Sequence, residues 1–389
     1  MLLSNYIGFL LNLKDISVIS CNPHSIVLSL PRSFHSCPCC KHKTNKIHDY
    51  RLQKIKHFFK TEQTLSIFIR KRRYVCPNCS KRFMEDIPFL GKYQRMTTSL
   101  KKSIISHFFE LNSASKIAKE HNISVSTVLR ILDTLSTFKI KLPEVISIDE
   151  FKGNAGNEKF QFIINDPINK KVLDVLPTRK AEYLYAYFTK FTYRQRSKVK
   201  YVIMDMSKSF REVVYNCFPK AEIIADKFHV YRHFQWAMEK VRKEVQKDFY
   251  KDRRKFFKRS RWILLKKGKN LTNKEKEQLE LMLSKSEKLR KAYELKEQFF
   301  KLVEEDKDKK VAIKEWIKLT LIYNLKQFNE VAEMIYRWYK PIKKGLETGL
   351  TNGYTEGMNN KIKVLKRISF GVKNFDRFRK RILYIGAGN

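Results

Sequence analysis

Acid is what this sequence lacks. Against 81 Lys and Arg stand 39 Asp and Glu in 389 residues, a formal charge of +42. Self-repulsion on that scale works against compactness, so it implies a polyanionic partner, nucleic acid first and an anionic membrane surface second. A run of about 18 apolar residues is also missing, which excludes a membrane-spanning helix. The apolar opening, MLLSNYIGFLLNLKD, has neither a basic leader nor a small-residue cleavage site and does not read as an export signal. The seven cysteines are an odd number, and Cys21 and Cys217 stand alone. In a large chain without a signal, that argues against a disulfide framework and for a reducing, cytoplasmic compartment. No repeat of solenoid period is present. What is there excludes a disordered polycation: 43% of residues are hydrophobic and 13% aromatic, and the length suits two or three domains with real cores.

The other five cysteines fall in two clusters, Cys37-Pro38-Cys39-Cys40 and Cys76-Pro77-Asn78-Cys79. Each is a Cys-x₂-Cys knuckle, in which one tight turn offers two sulfurs to the same ion. Four thiolates make a closed tetrahedral site for one structural Zn²⁺. The expected ligands are Cys37, Cys40, Cys76 and Cys79. Cys39 is expected to be a spectator, and His42 and His48 surface residues. Short β-like runs precede the knuckles (Ile16–Ile19, Ser25–Leu30), and a hairpin pattern between them (Ile55–Phe59, Leu65–Ile69) brings the chain back to the metal. Residues 1–95 hold 17 Lys and Arg against 5 Asp and Glu, including the run Arg70-Lys71-Arg72-Arg73, which is expected to lie against phosphates.

The hydrophobic period then turns helical. Leu100, Ile104, Ile105, Phe108 and Leu111 form one stripe. A short helix follows Ser113, then the turn His121-Asn122-Ile123-Ser124, then a helix over Val125–Leu135 capped by Ser124. That outline predicts a helix-turn-helix with Ile117, Ile123, Val128 and Ile131 in its core. Its second helix would present Ser124, Ser126, Thr127 and Arg130 to a DNA major groove.

From Val145 to Ala225 apolar strands alternate with helical stretches, an α/β pattern. Two strands end in acid, Ser147-Ile148-Asp149-Glu150 and Val202-Ile203-Met204-Asp205, with two further strands and the helix Ala181–Lys190 between them. A strand-end Asp taken alone is ordinarily a turn or a cap. Two on neighbouring strands, with a third acid from a helix, form an oxygen-rich pocket suited to Mg²⁺. Glu356 stands out as that third acid, at the start of a helix over Tyr354–Arg367 and among Gly345, Gly349, Gly353 and Gly357 in a Gly-poor region. Such a pocket can hold two ions that activate a hydroxyl and stabilise the leaving oxygen at a phosphodiester.

From Cys37 to about Leu383 the sequence resembles the bacterial insertion-sequence transposases of the ISL-three type. The most specific block is Thr351-Asn352-Gly353-Tyr354-Thr355-Glu356-Gly357-Met358-Asn359-Asn360-Lys361-Ile362-Lys363, followed by Arg367-Ile368-Ser369-Phe370-Gly371. Also shared are Ser147–Phe151, Met204–Ser207 and Ile224-Ala225-Asp226-Lys227-Phe228-His229. The resemblance implies a ribonuclease-H-like core whose catalytic triad is Asp149, Asp205 and Glu356, holding two Mg²⁺ (or Mn²⁺) ions. Asp226 and His229 would support that site. It implies a multidomain α/β chain: a zinc ribbon over residues 1–95, a helix-turn-helix over 96–140 and a catalytic domain over 141–389. A large helical insertion at about 227–345 would interrupt the last. Neighbours on a strand face opposite ways, so only one of Asp149 and Glu150 can face the metals, and the family pattern favours Asp149.

Residues 240–270 carry 14 Lys and Arg against 3 Asp and Glu, interleaved with Phe249, Tyr250, Phe256, Phe257 and Trp262. That suits tracking of a DNA backbone with stacking on bases; aromatics turned into a core would give the same pattern. The expected function is cleavage at the element's terminal inverted repeats and joining of the 3′-OH to target DNA. The protein would act in the bacterial cytoplasm, on the nucleoid, as a dimer or larger assembly on double-stranded DNA and without a membrane partner. A DNA-binding regulator that has lost the chemistry is the alternative. A structure-specific nuclease is a third possibility.

Overall fold

The structure, a computed structural model, describes residues 16–22, 25–58, 64–91, 93–305 and 308–387; most of the apolar opening lies outside the described residues. The chain divides into two compact units, Met1–Phe138 with Lys361–Gly388, and Lys139–Asn360. Among the described residues no helix is long and apolar enough to cross a membrane.

The first unit begins with strands β1 (Ser17–Asn22), β2 (Ser25–Ser29), β3 (His35–Ser36), β4 (Lys43–Thr44), β5 (Ile47–Phe58), β6 (Thr64–Val75) and β7 (Arg82–Met84). One sheet runs in the order β1-β2-β6-β5, with β7 on β6, and β3 pairs β4. The long β5–β6 hairpin is the expected return between the knuckles. Ile26, Leu28, Ile55, Ile67, Ile69 and Ile87 make its core.

Along β6 the buried positions change parity, from Ile67 and Ile69 to Arg72, Tyr74 and Cys76. The strand therefore turns opposite faces inward at its two ends. Arg72, expected on a phosphate, is a core residue instead. Its guanidinium donates to Glu85 Oε2 (3.2 Å), the Leu30 carbonyl (2.8 Å) and Ser29 Oγ (3.2 Å). Glu85 Oε1 accepts the Arg72 backbone N–H at 2.7 Å.

Three helices follow: α1 (Thr98–Ser106), α2 (Ala114–Glu120) and α3 (Val125–Thr134). The Ser113 and Ser124 hydroxyls cap α2 and α3 by accepting from Lys116 N and Thr127 N. The single stripe expected over Leu100–Leu111 is broken: α1 ends at Ser106 and a 3₁₀ turn continues it to Phe109. Thr97 caps α1 and joins it to the sheet. Its N–H reaches the Lys56 carbonyl at 3.1 Å and its hydroxyl meets His57 Nδ1 at 3.0 Å. Burial pushes the His57 imidazole down to about 4.

The second unit is built on β8 (Val145–Ala155), β9 (Glu158–Asp166), β10 (Lys171–Leu176), β11 (Tyr201–Met204) and β12 (Glu222–Ala225), in the order β10-β9-β8-β11-β12. The first three pair antiparallel; β8, β11 and β12 run parallel. Helices α4 (Ala181–Phe188), α5 (Tyr193–Arg196) and α6 (Lys208–Cys217) lie between strands. After β12 come α7 (Lys227–Val245), α8 (Lys251–Arg259), α9 (Arg261–Leu265), α10 (Asn273–Ser284), α11 (Glu287–Glu304), α12 (Lys309–Tyr323), α13 (Lys326–Arg337) and α14 (Tyr339–Thr348). The last two helices are α15 (Gly353–Ile368) and α16 (Phe375–Ala387), and the division between units falls inside α15, after Asn360.

One hydrophobic core runs from the sheet into these helices. Phe234 stacks on Phe299 at 4.2 Å, and the Trp316 indole donates to the Leu295 carbonyl at 2.7 Å. Within residues 240–270, Phe257 is fully buried and Phe249 and Phe256 pack against the core, while Tyr250 and Trp262 stay exposed. Most of that aromatic pattern is therefore core. Gly345 lets α14 close onto β12, since a Cβ there would sit 2.9 Å from the Ala225 carbonyl oxygen. Gly349, at φ +68°, ends α14. Gly357 faces open space.

The Arg72–Glu85 pair supplies a stability test. Glu85→Ala leaves a buried guanidinium without its counter-charge, at a cost of about 3–5 kcal/mol. Chemical denaturation followed at the N-terminal unit should show that loss. Glu85→Gln, which keeps the acceptor oxygen, should cost less.

Candidate active site and DNA-binding face

Strand register builds the acidic site. In the parallel ladder Ile203 pairs Ser147 and Met204 pairs Ala225. Extending the two registers by two residues and by one places Asp149, Asp205 and Asp226 side by side. Asp205 and Asp226 directly follow β11 and β12, but the strand end expected at Asp149 is a point inside β8, which runs on to Ala155 because β9 continues to pair with it. Parallel sheets offer ligands this edge, where the chain leaves the ladder. Asp149 Oδ1 accepts its neighbour's backbone N–H (Glu150, 2.8 Å), and Oδ2 accepts from Asn359 Nδ2 at 2.8 Å. The neighbouring Glu150 pairs with Arg179.

The site carries more negative charge than its neighbours offset. Burial, reinforced by the charges of Asp205 and Glu150, raises the Asp149 carboxyl to about 7. Asp205 is raised too, by burial and by Glu150 and Asp226, with the charge of His229 opposing. Asp205 Oδ1 is buried and accepts no hydrogen bond among the described residues, as are the side-chain oxygens of Asn352 and Asn359. Orphaned oxygens beside carboxyls whose ionisation burial opposes are a donor set that a hard divalent cation fits.

Helix α15 is latched over this edge by buried polar contacts. The Thr355 hydroxyl lies 2.6 Å from Ser147 Oγ and accepts from Asn165 Nδ2 at 2.9 Å. The Asn352 N–H points at Asp226 Oδ1 (3.4 Å), and His229 Nε2 stands 3.9 Å from Asp226 Oδ2. Glu356 lies one turn from both Asn352 and Asn359, on the helix face that meets the aspartates. Its side chain is exposed.

The cysteines form a second site. Cys37 Sγ is 3.5 Å from Cys79 Sγ, Cys40 Sγ is 3.5 Å from Cys76 Sγ, and all four lie within 4.8 Å of one another. Four sulfurs about 2.3 Å from one Zn²⁺ need that spacing. Among the described residues this is the one cluster of three or more such side chains so close, so Asp149, Asp205 and Glu356 stand wider apart.

The two knuckles are near copies. Lys41 N donates to Cys37 O and Ser80 N to Cys76 O, while Cys37 N and Cys76 N reach His42 O and Lys81 O. Lys41 and Ser80, each just after the second cysteine, take φ +62° and +54°. The His42 backbone and the Asn78 side chain favour the Cys40 thiolate, lowering it to about 6. Cys39 is exposed and outside the cluster; His42 and His48 are exposed as well.

On α3, Ser124, Ser126 and Arg130 are exposed. Thr127 is engaged internally: its hydroxyl lies 2.9 Å from Ser124 Oγ and accepts from Arg130 Nη2 at 3.1 Å. On the ribbon, Arg70 is exposed and lies over the Tyr50 ring at 4.0 Å, while Lys71 and Arg73 are half-buried. Arg73 also stands 3.6 Å from Asp49.

Comparison with known proteins agrees with this layout. Residues 33–79 match a family described as the zinc-finger of transposase IS204/IS1001/IS1096/IS1165. Residues 85–136 match the helix-turn-helix domain of transposase family ISL3. Residues 146–382, more than half of the chain, match the ISL3 DDE transposase family. The chain belongs to the ISL3 transposase family. Among its relatives, the transposase for insertion sequence element IS1001 of Bordetella parapertussis is 24% identical over 375 residues, covering 94% of this chain and 92% of the relative. The transposase for IS1557 of Mycobacterium tuberculosis is 23% identical over 253 residues, 59% of this chain and 57% of that protein.

In this ISL3 transposase the residues that sequence reasoning did not single out are those that hold the acids rather than supply them: Asn352, Thr355 and Asn359, with Ser147 and Asn165 beneath. The signal was available. Asn352, Thr355, Glu356 and Asn359 recur at helical spacing, one polar stripe on a helix whose other faces are apolar or basic.

The cysteine cluster generates a direct test. Metal analysis of purified protein should find one zinc per chain. Cys39→Ser should retain it. Cys76→Ser should lose it, and with it the protease resistance of the N-terminal unit.

Proposed function

We propose that the protein cuts DNA at the ends of its insertion sequence and joins the freed 3′-OH to target DNA. In this reading Asp149, Asp205 and Glu356 hold two Mg²⁺ (or Mn²⁺) ions on a ribonuclease-H-like core, with Asp226 and His229 in support. Residues 141–389 form the catalytic domain, into which about 227–345 are inserted. The zinc ribbon (1–95) and helix-turn-helix (96–140) bind the terminal inverted repeats. Arg70, Lys71 and Arg73 contact phosphates there, and Ser124, Ser126 and Arg130 face the groove, with Thr127 bracing Arg130. Two ends must be held together, so the working form is a dimer or larger on DNA.

The observation that carries this reading is the row of aspartates at one register of the parallel strands. The sheet brings Asp149 and Asp205 to one edge, burial holds their carboxyls high, and no side chain among the described residues hydrogen-bonds Asp205 Oδ1. Divalent ions, when bound, would activate the attacking hydroxyl and stabilise the leaving oxygen. The protein's own part is orientation. Asn359 fixes one oxygen of Asp149, the Thr355 latch holds α15 on the sheet, and Glu356 sits on the helix face that meets the aspartates.

Full-length protein with Mg²⁺ and end-bearing DNA should nick the element boundary. Asp149→Asn should lower that rate by at least about 1,000-fold while DNA binding, followed by gel shift, persists. Undiminished cleavage by the variant would overturn the assignment of Asp149. Binding by the native protein without metal-dependent cleavage would favour a DNA-binding regulator.

A further inference from the structure

Helix α16, which the family comparison places at the end of the transposase segment, is bonded side chain by side chain to the helix-turn-helix. Both belong to the first compact unit. Tyr384 is buried in the same cluster as Leu100, Phe108, Ile117, Val128 and Leu132. Its hydroxyl donates to the Ser136 carbonyl at 3.2 Å. Arg381, itself buried, donates to the carbonyls of Glu110 (3.1 Å) and Asn112 (2.7 Å), in the turn that leads into α2, and lies over the Phe108 ring. Arg377 grips Asp133 with two hydrogen bonds, Nε to Oδ1 at 2.8 Å and Nη2 to Oδ2 at 2.7 Å. Lys380 donates to the carbonyls of Leu132 and Asp133.

These contacts do more than fill a core. The last carbonyls of a helix have no partner within it, and a cation there also complements the helix dipole; Lys380 supplies both at the end of α3. Apolar packing alone tolerates sliding and rotation of a helix about its axis, whereas a forked Arg–carboxylate pair has one geometry. The clamped residue, Asp133, lies three positions from Arg130, one turn along the same helix, so a shift at the clamp is transmitted to the exposed guanidinium.

We propose that α16 is a working part of the DNA-binding half, with Arg377, Lys380 and Arg381 as positioning residues. They set the angle at which Ser126 and Arg130 meet base edges. The inference rests on the reading of α3 as the recognition helix. A correctly aimed base contact is worth about 1–3 kcal/mol of discrimination, whereas phosphate contacts bind any sequence. Misaiming α3 should therefore lower the preference for the element's end and leave general DNA affinity largely in place.

The test uses the full chain and two duplexes of equal length, one copied from the end of the element and one scrambled, with binding followed by fluorescence anisotropy. The readout is the ratio of the two affinities. Arg377→Asp and Asp133→Arg should each lower that ratio by about 10-fold. The double swap, which restores the pair and the native net charge, should recover it. Thermal unfolding of all three variants should match the native chain, because the pair is solvent-accessible. Single swaps that leave the ratio within about two-fold of native would overturn the proposal, as would a double swap that fails to recover it. Arg130→Ala separates the two levels. If it lowers the ratio while the Arg377 swap does not, the clamp alone is wrong. If it too has no effect, α3 is not the reading helix and the proposal falls with it.

Discussion

Three parallel strands carry aspartate at the same register, Asp149 within β8 and Asp205 and Asp226 just past β11 and β12, and so force negative charge into one row at a partly buried edge. Burial opposes ionisation of Asp149 and Asp205 there, and the charges of neighbouring carboxylates add to it. The chain answers with amides and hydroxyls: Asn359 on Asp149, the Asn352 backbone on Asp226, Thr355 between Ser147 and Asn165. Such groups orient a carboxylate and do not neutralise it. The charge left over at this edge is what a divalent ion would offset. The latch of α15 holds its polar stripe to that edge, and the proposed role of Glu356 rests on that placement.

Much of this was legible in the primary structure, because each feature rests on local spacing. Two-residue spacers between cysteines become matched knuckles, serines before apolar stripes become caps, and the acid after the apolar run of β11 marks its end, whereas β8 runs on past Asp149. What was not legible depends on long-range packing. Arg72 looks like its basic neighbours, yet the change of buried parity along β6 turns it onto Glu85. Phe257 and Tyr250 belong to one basic-aromatic stretch, and tertiary contact alone decides that the first is core and the second is not. The glycines near Glu356 looked like one device. Gly345 makes a close approach to Ala225, and Gly357 meets nothing.

The DNA-binding half shows the same division. The helix-turn-helix outline could be read from its caps and its apolar core, but the side chains that complete it lie about 250 residues further on, as the spacing of Tyr384 from Ser136 shows. A positive charge of this size supplies affinity for any nucleic acid. Sequence preference has to come from a few well-aimed side chains, and Arg130, held through Thr127, has the required exposure and support. In the proposed reading the arrangement pairs an unselective electrostatic grip with a small rigid reader.

The most direct test of the central claim is the location of the divalent ion itself. Crystals of the full chain bound to a cleaved element end and soaked in Mn²⁺ would be measured at the manganese absorption edge. The account predicts anomalous density bounded by carboxylate oxygens of Asp149, Asp205 and Glu356. Density at the strand ends without Glu356, or manganese bound only elsewhere on the protein, would contradict it.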